Sequence, residues 1–130
     1  MLKYAKRESF AERLDKADEA TKRYYLELEK EFRFLDNVKP RVSLRCVTFR
    51  HNNDIIGKIA LGGRSLKLFL AMEPDAEMLK TEKIHARDLS KTKAYELVPT
   101  MIPIKSELAV RKAKKAIQYV VVKKVYNFNV

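Results

Sequence analysis

The chain has 130 residues, of which 46% are hydrophobic, 9% aromatic and 35% charged, a balance that suits one domain with a packed core and excludes a disordered chain. The single cysteine, Cys46, excludes an internal disulfide and fits a reducing compartment. No stretch approaches the roughly eighteen apolar residues of a membrane span and Met1–Phe10 lacks a signal-peptide core, so the sequence predicts a soluble cytoplasmic protein with no membrane partner.

The formal charge of +11 is unevenly placed. Residues 1–40 carry ten Lys or Arg against nine acids and residues 73–104 five against six, whereas residues 41–72 carry six against one and residues 105–130 seven against one. Clustered positive charge attracts polyanions, because each phosphate it neutralises releases condensed counterions. Partner class follows from this; reaction does not.

A single α+β domain is expected over residues 1–130, with its structured core at about 9–122. Ser9-Phe10-Ala11-Glu12 reads as a capping box. Phe10, Leu14, Ala17, Thr21, Tyr24, Leu28, Phe32 and Leu35 follow at helical spacing, which predicts one long N-terminal helix of about seven turns. Asp36-Asn37 and Pro40 end it. Its outer face mixes both signs of charge and reads as scaffold.

From Arg41 the period becomes two. Arg41–Arg50, Ile55–Leu61 and Ser65–Met72 read as three antiparallel strands joined by His51-Asn52-Asn53-Asp54 and Gly62-Gly63-Arg64. Alternation places Val42, Leu44, Cys46, Ile55, Gly57, Ile59, Leu61, Leu66, Leu68, Leu70 and Met72 on the core side. The other side would carry Arg41, Ser43, Arg45, Val47, Phe49, Ile56, Lys58, Ala60, Lys67, Phe69 and Ala71. Pro74–Lys80 reads as a short helical turn, Ile84-His85-Ala86 as a brief strand, and Asp88 or Ser90 as the cap of a turn through Tyr95. Met101–Lys105 is a further strand, giving a mainly antiparallel sheet of about four or five strands. Ser106 caps a C-terminal helix packed on that sheet, running to about Val122, with Ala109, Ala113, Ala116, Ile117 and Val120 inward and Leu108 as the alternative to Ala109.

These segments resemble a small domain of uncharacterised bacterial proteins of Firmicutes type, sometimes found in tandem or beside zinc-ribbon segments. The resemblance rests on Val38–Ser43, Thr48-Phe49-Arg50, Lys58–Leu66, Leu68–Pro74, Ile84–Ser90, Tyr95–Pro99 and Ile104-Lys105-Ser106, and covers roughly residues 10–122. It implies the same α+β architecture and brings no activity or site residues. The zinc-ribbon cysteines are absent from this chain.

No motif fixes a chemistry. Cys46 alternating with Val42 and Leu44 reads as a small buried hydrophobe rather than a nucleophile. Cys46, His51 and His85 lack paired ligand spacing, so no metal or other cofactor is predicted. Gly62-Gly63-Arg64 lacks the lysine and helix of a phosphate loop. His85, Arg87 and Asp88 could serve a small hydrolase or transferase, or could simply pack and cap a strand end.

The leading expectation is a noncatalytic module rather than an enzyme. It would engage nucleic acid or another polyanion, such as an acidic protein, through Arg41, Arg45, Lys58, Arg64 and Lys67 on the sheet and Arg111, Lys112, Lys114 and Lys115 on the last helix. Phe49 and Phe69 would stack bases. Alternatively a helix covers this face and the two Phe are core. A protein interaction or assembly domain, homo-oligomeric or using the sheet face or the Tyr126–Val130 tail, is the other reading.

Overall fold

The computed structural model describes residues 8–34 and 37–124. In chain order these form α1 (Phe10–Asp15), α2 (Glu19–Arg33), β1 (Val38–Val42), β2 (Cys46–His51), β3 (Asp54–Gly62), β4 (Ser65–Leu70), α3 (Glu77–Thr81), β5 (Arg87–Asp88), a 3-10 turn at Lys93–Tyr95, β6 (Thr100–Ile104) and α4 (Glu107–Lys124). The six strands make one antiparallel sheet in the order β1-β2-β3-β4-β6-β5. The α+β class is as the sequence predicts, with more strands than the four or five expected. The Tyr126–Val130 tail lies outside the described residues.

The N-terminal helix is two helices, not one. Ser9 Oγ accepts the Glu12 N–H, as its capping box requires. Asp18 then takes an extended backbone and its carboxylate accepts the Thr21 N–H at 2.7 Å, starting α2. An Asp at this position satisfies an otherwise orphaned helix donor. The break folds α1 back until the Phe10 and Tyr25 rings lie 5.6 Å apart, whereas fifteen residues of straight helix would separate them by roughly 22 Å. The buried stripe of α2 is Thr21, Tyr25, Leu28 and Phe32, so Tyr25 takes the place expected for Tyr24. Burial, then the hydrogen bond to Glu29, pushes the Tyr25 hydroxyl far above its ordinary pKa.

The expected strand Arg41–Arg50 is instead a hairpin. The Ser43 N–H donates to the Cys46 carbonyl at 2.8 Å and closes a turn over Leu44 and Arg45. Neither has positive φ, so the turn needs no Gly or Asn and leaves no mark in the sequence. Its effect on side-chain direction is large, because paired residues share a face and the parity after the turn is reversed. Val42 pairs with Val47 and Pro40 with Phe49, while Arg41 pairs with Thr48. Val47 and Phe49 are therefore core residues; Cys46 lies outward, and Leu44 is an exposed turn residue.

The inner face carries the row Val47, Ile59, Leu68, Ile102 across four strands, all essentially buried. Helices α2 and α4 cover it. Phe32 lies flat on Phe49 with centroids 4.2 Å apart and planes 8° from parallel. Gly57 makes room for this, since a Cβ there would sit 2.7 Å from Phe32 Cζ. In α4 the Ser106 hydroxyl accepts the Ala109 N–H at 3.1 Å, and Val110, Ala113, Ala116, Ile117, Val120 and Val121 are buried. Leu108 is exposed.

Candidate polyanion interface

On the sheet's outer face, register builds a basic surface from β1 to β4. Arg41 pairs with Thr48, Thr48 with Lys58 and Lys58 with Phe69; Lys39 pairs with Arg50; Lys67 pairs with Ala60, which pairs with Cys46. Lys39, Arg41, Arg50, Lys58 and Lys67 thus share one face. Among the described residues, none of the five has a carboxylate within 4.0 Å. Lys67 is laid over Gly62, where a Cβ would meet its Cε at 2.6 Å. Arg45 and Arg64 are exposed in the β1–β2 and β3–β4 turns, which the register puts at the same end of the sheet. Arg64 there borders a cleft with Arg13, Lys16 and Asp18.

The α4 cations stand apart. This helix packs beside α2 on the inner side, so the two basic stretches of the sequence do not merge. Its charges are also engaged: Lys114 with Glu27, Lys115 with Glu82 at 2.8 Å, Lys123 with Glu73 at 2.9 Å, and Lys112 donating to the Lys83 carbonyl at 2.7 Å. At the helix start Glu107 meets Arg23 at 3.0 Å. Of the four α4 cations expected at the interface, only Arg111 has no ion-pair or hydrogen-bond partner among the described residues. Three carboxylates distant in sequence, Glu27 in α2 and Glu73 and Glu82 on either side of α3, thus pair with Lys114, Lys123 and Lys115 and offset half of the positive charge on this helix.

Those pairs make stability pH-dependent. Hydrogen bonding to Lys114 and Lys123 holds the carboxyls of Glu27 and Glu73 below their ordinary value of 4.5. Depressed carboxyl pKa values contribute stability above the unfolded-state value, and the contribution disappears as pH falls through the folded-state value. The melting temperature should therefore drop on acidification below about pH 4.5. The double variant Glu27→Gln, Glu73→Gln should melt slightly lower at neutral pH and follow a shallower acid limb. Parallel acid limbs for the two proteins in thermal melts would refute this assignment.

Phe69 is only 5% exposed. Tyr95 covers it, with centroids 4.8 Å apart and planes 2° from parallel, and Phe49 is buried under Phe32. Neither Phe presents a ring to a ligand. Tyr95 was not among the expected site residues; its position one residue before Glu96 in a polar loop offered no periodicity to place it over the sheet.

The other constellations do not converge. Arg87 pairs with Met101 on the outer side and Asp88 with Thr100 on the inner side. His85 instead borders a cleft of about 150 Å³ with Lys83, Ser106 and Lys112. The Asp88 carboxylate accepts from the Ser90 hydroxyl and N–H, which holds its pKa below the ordinary value. Cys46 Sγ lies 3.6 Å from Ser43 Oγ and 3.8 Å from Thr48 Oγ1. Among the described residues no three His, Cys, Asp or Glu side chains are grouped as metal ligands, and no helix is long and apolar enough to cross a membrane. An apolar groove of about 340 Å³ opens between α1, α2 and the β1–β2 hairpin, floored by Phe10, Tyr25 and Val47 and bordered by the exposed Leu26 and Val42.

Comparison with protein-family models, curated proteins and solved structures finds no match to this chain.

Proposed function

We propose that the protein is a noncatalytic module that binds nucleic acid, or a polyanion of similar charge density, across the outer face of its sheet. The observation that carries this reading is the group of Lys39, Arg41, Arg50, Lys58 and Lys67 on one surface with no carboxylate partner among the described residues. Cations fixed on a rigid sheet can meet successive phosphates, and phosphate contacts carry no base information, so little sequence preference is expected. Arg45 and Arg64 extend the surface at one end. The α4 face, where Lys114, Lys115 and Lys123 are already paired with carboxylates, contributes less, which narrows the contact to the sheet.

Fluorescence anisotropy with labelled DNA and RNA over a salt series tests the proposal. Four or five phosphate contacts predict a log–log salt slope of about −3 to −5. Failure to associate with any of these at low salt, or an affinity indifferent to salt, would rule the reading out.

A further inference from the structure

Within the basic outer face one aromatic ring is placed as a base would need it. Tyr95 lies parallel to Phe69, and Phe69 occupies the cross-strand row that runs from Arg41 through Thr48 and Lys58 to Met101 and Arg87. One ring face of Tyr95 is therefore spent on the sheet. The side chain as a whole is half-buried, and its hydroxyl has no hydrogen-bond partner among the described residues yet is not buried without one. The exposed remainder of the residue therefore lies outside its contact with the Phe69 ring.

The ring is also held still. The Tyr95 N–H donates to the Thr92 carbonyl at 2.9 Å and its carbonyl accepts from the Val98 N–H at 3.0 Å. Val98 is buried, and the Leu89 N–H ties the base of the loop to the Pro99 carbonyl at 2.8 Å. A ring fixed in advance loses little freedom when a ligand stacks on it. Lys58 pairs directly with Phe69 on one side, and Arg87 lies two strands away on the other, so cations flank the ring within the same row. Neighbouring strands are about 4.8 Å apart, which places Lys58 and Arg87 on opposite sides of the ring and roughly 14 Å apart at the backbone, so each can meet a different phosphate of a strand crossing the sheet.

We infer that Tyr95 is a nucleobase-stacking residue and that the preferred ligand of the outer face is a single strand with unpaired bases. This rests on the polyanion reading above and adds to it a class of nucleic acid. A duplex keeps its bases stacked on each other and offers the ring nothing. An unpaired base of any identity has a π face to lay on it, so the preference is for strandedness rather than sequence.

The test compares oligodeoxythymidine, an abasic strand of the same length and charge, and a duplex, each measured by anisotropy at one low salt concentration. The thymidine strand should bind about tenfold more tightly than the abasic strand, the size expected for one stacked base. Tyr95→Phe should keep that difference. Tyr95→Ala and Tyr95→Leu should remove it while leaving abasic binding unchanged; the Leu variant keeps an apolar cover on Phe69, and circular dichroism verifies the fold. Equal binding of the thymidine and abasic strands by the unaltered protein would overturn the stacking role and leave the phosphate contacts standing. A difference that survives in a folded Tyr95→Leu variant would also overturn it. If no strand binds, the polyanion reading fails and this inference fails with it.

Discussion

Replacing Phe32 by alanine should destabilise the protein by about 3–5 kcal/mol, the usual cost of emptying a buried phenylalanine site. The ring is fully buried and stacked on Phe49, so its loss removes the contact between α2 and the first half of the sheet. Gly57→Ala acts on the same space from below. Its Cβ would come 2.7 Å from Phe32 Cζ and 3.1 Å from the Phe69 carbonyl oxygen, an overpacking that should cost about 1–3 kcal/mol. The two effects should not add. With Phe32 shortened to alanine the ring that the new methyl strikes is gone, so Gly57→Ala should become neutral or slightly favourable in that background. Denaturant unfolding of the two single variants and the double variant measures the coupling. Additive losses, or a Phe32→Ala cost under about 1 kcal/mol, would mean that α2 is not seated through this contact.

The same contact marks how far the fold can be read from its residues. Turns with a conformational demand were legible: Asn52 and Gly63 both have positive φ, and the strands between and after them fall within a residue or two of expectation. Ser9 and Ser106 likewise announce their helices through hydroxyl caps. The Leu44-Arg45 turn makes no such demand, so alternation across it reads as one strand, and Cys46, Val47 and Phe49, which follow it in that strand, are assigned to the wrong face. Asp18 starts α2 without announcing it, because a capping Asp and a solvated Asp within a helix have the same sequence signature. The insertion of β6 between β4 and β5 depends on tertiary pairing that no local pattern encodes.

For the candidate site the outcome divides along the same line. Arg41, Lys58 and Lys67 share a face as alternation predicts, because faces follow alternation within each strand and Arg41 lies before the turn that inverts Cys46, Val47 and Phe49. Lys112, Lys114 and Lys115 also lie on α4 as expected, but packing alone brings Glu27 and Glu82 to offset the charge of Lys114 and Lys115 and the Lys83 carbonyl to occupy the Lys112 ammonium. Counting charges along a helix cannot register carboxylates supplied by another helix. The aromatic partner is displaced for the same reason: Phe69 is on the correct face, and a loop some twenty-five residues later covers it with Tyr95.

Charge reversal separates the two basic stretches. The triple variant Arg41→Glu, Lys58→Glu, Lys67→Glu should lose at least about a hundredfold in low-salt affinity for a single strand, because three phosphate contacts are replaced by repulsions. Single Lys58→Gln or Lys67→Gln changes should each flatten the log–log salt slope by somewhat less than one. Lys112→Glu, Lys114→Glu, Lys115→Glu changes the formal charge equally, yet it should leave affinity within about threefold, since long-range attraction is screened over roughly 10 Å at ordinary ionic strength. Its cost should appear in stability instead, as Glu27 and Glu82 lose their partners and face like charges. The two variants thus carry the same net charge and predict opposite phenotypes, one in binding and one in melting temperature. Equal loss of affinity would show that total charge governs binding, and loss confined to the α4 variant would move the interface to the helical side.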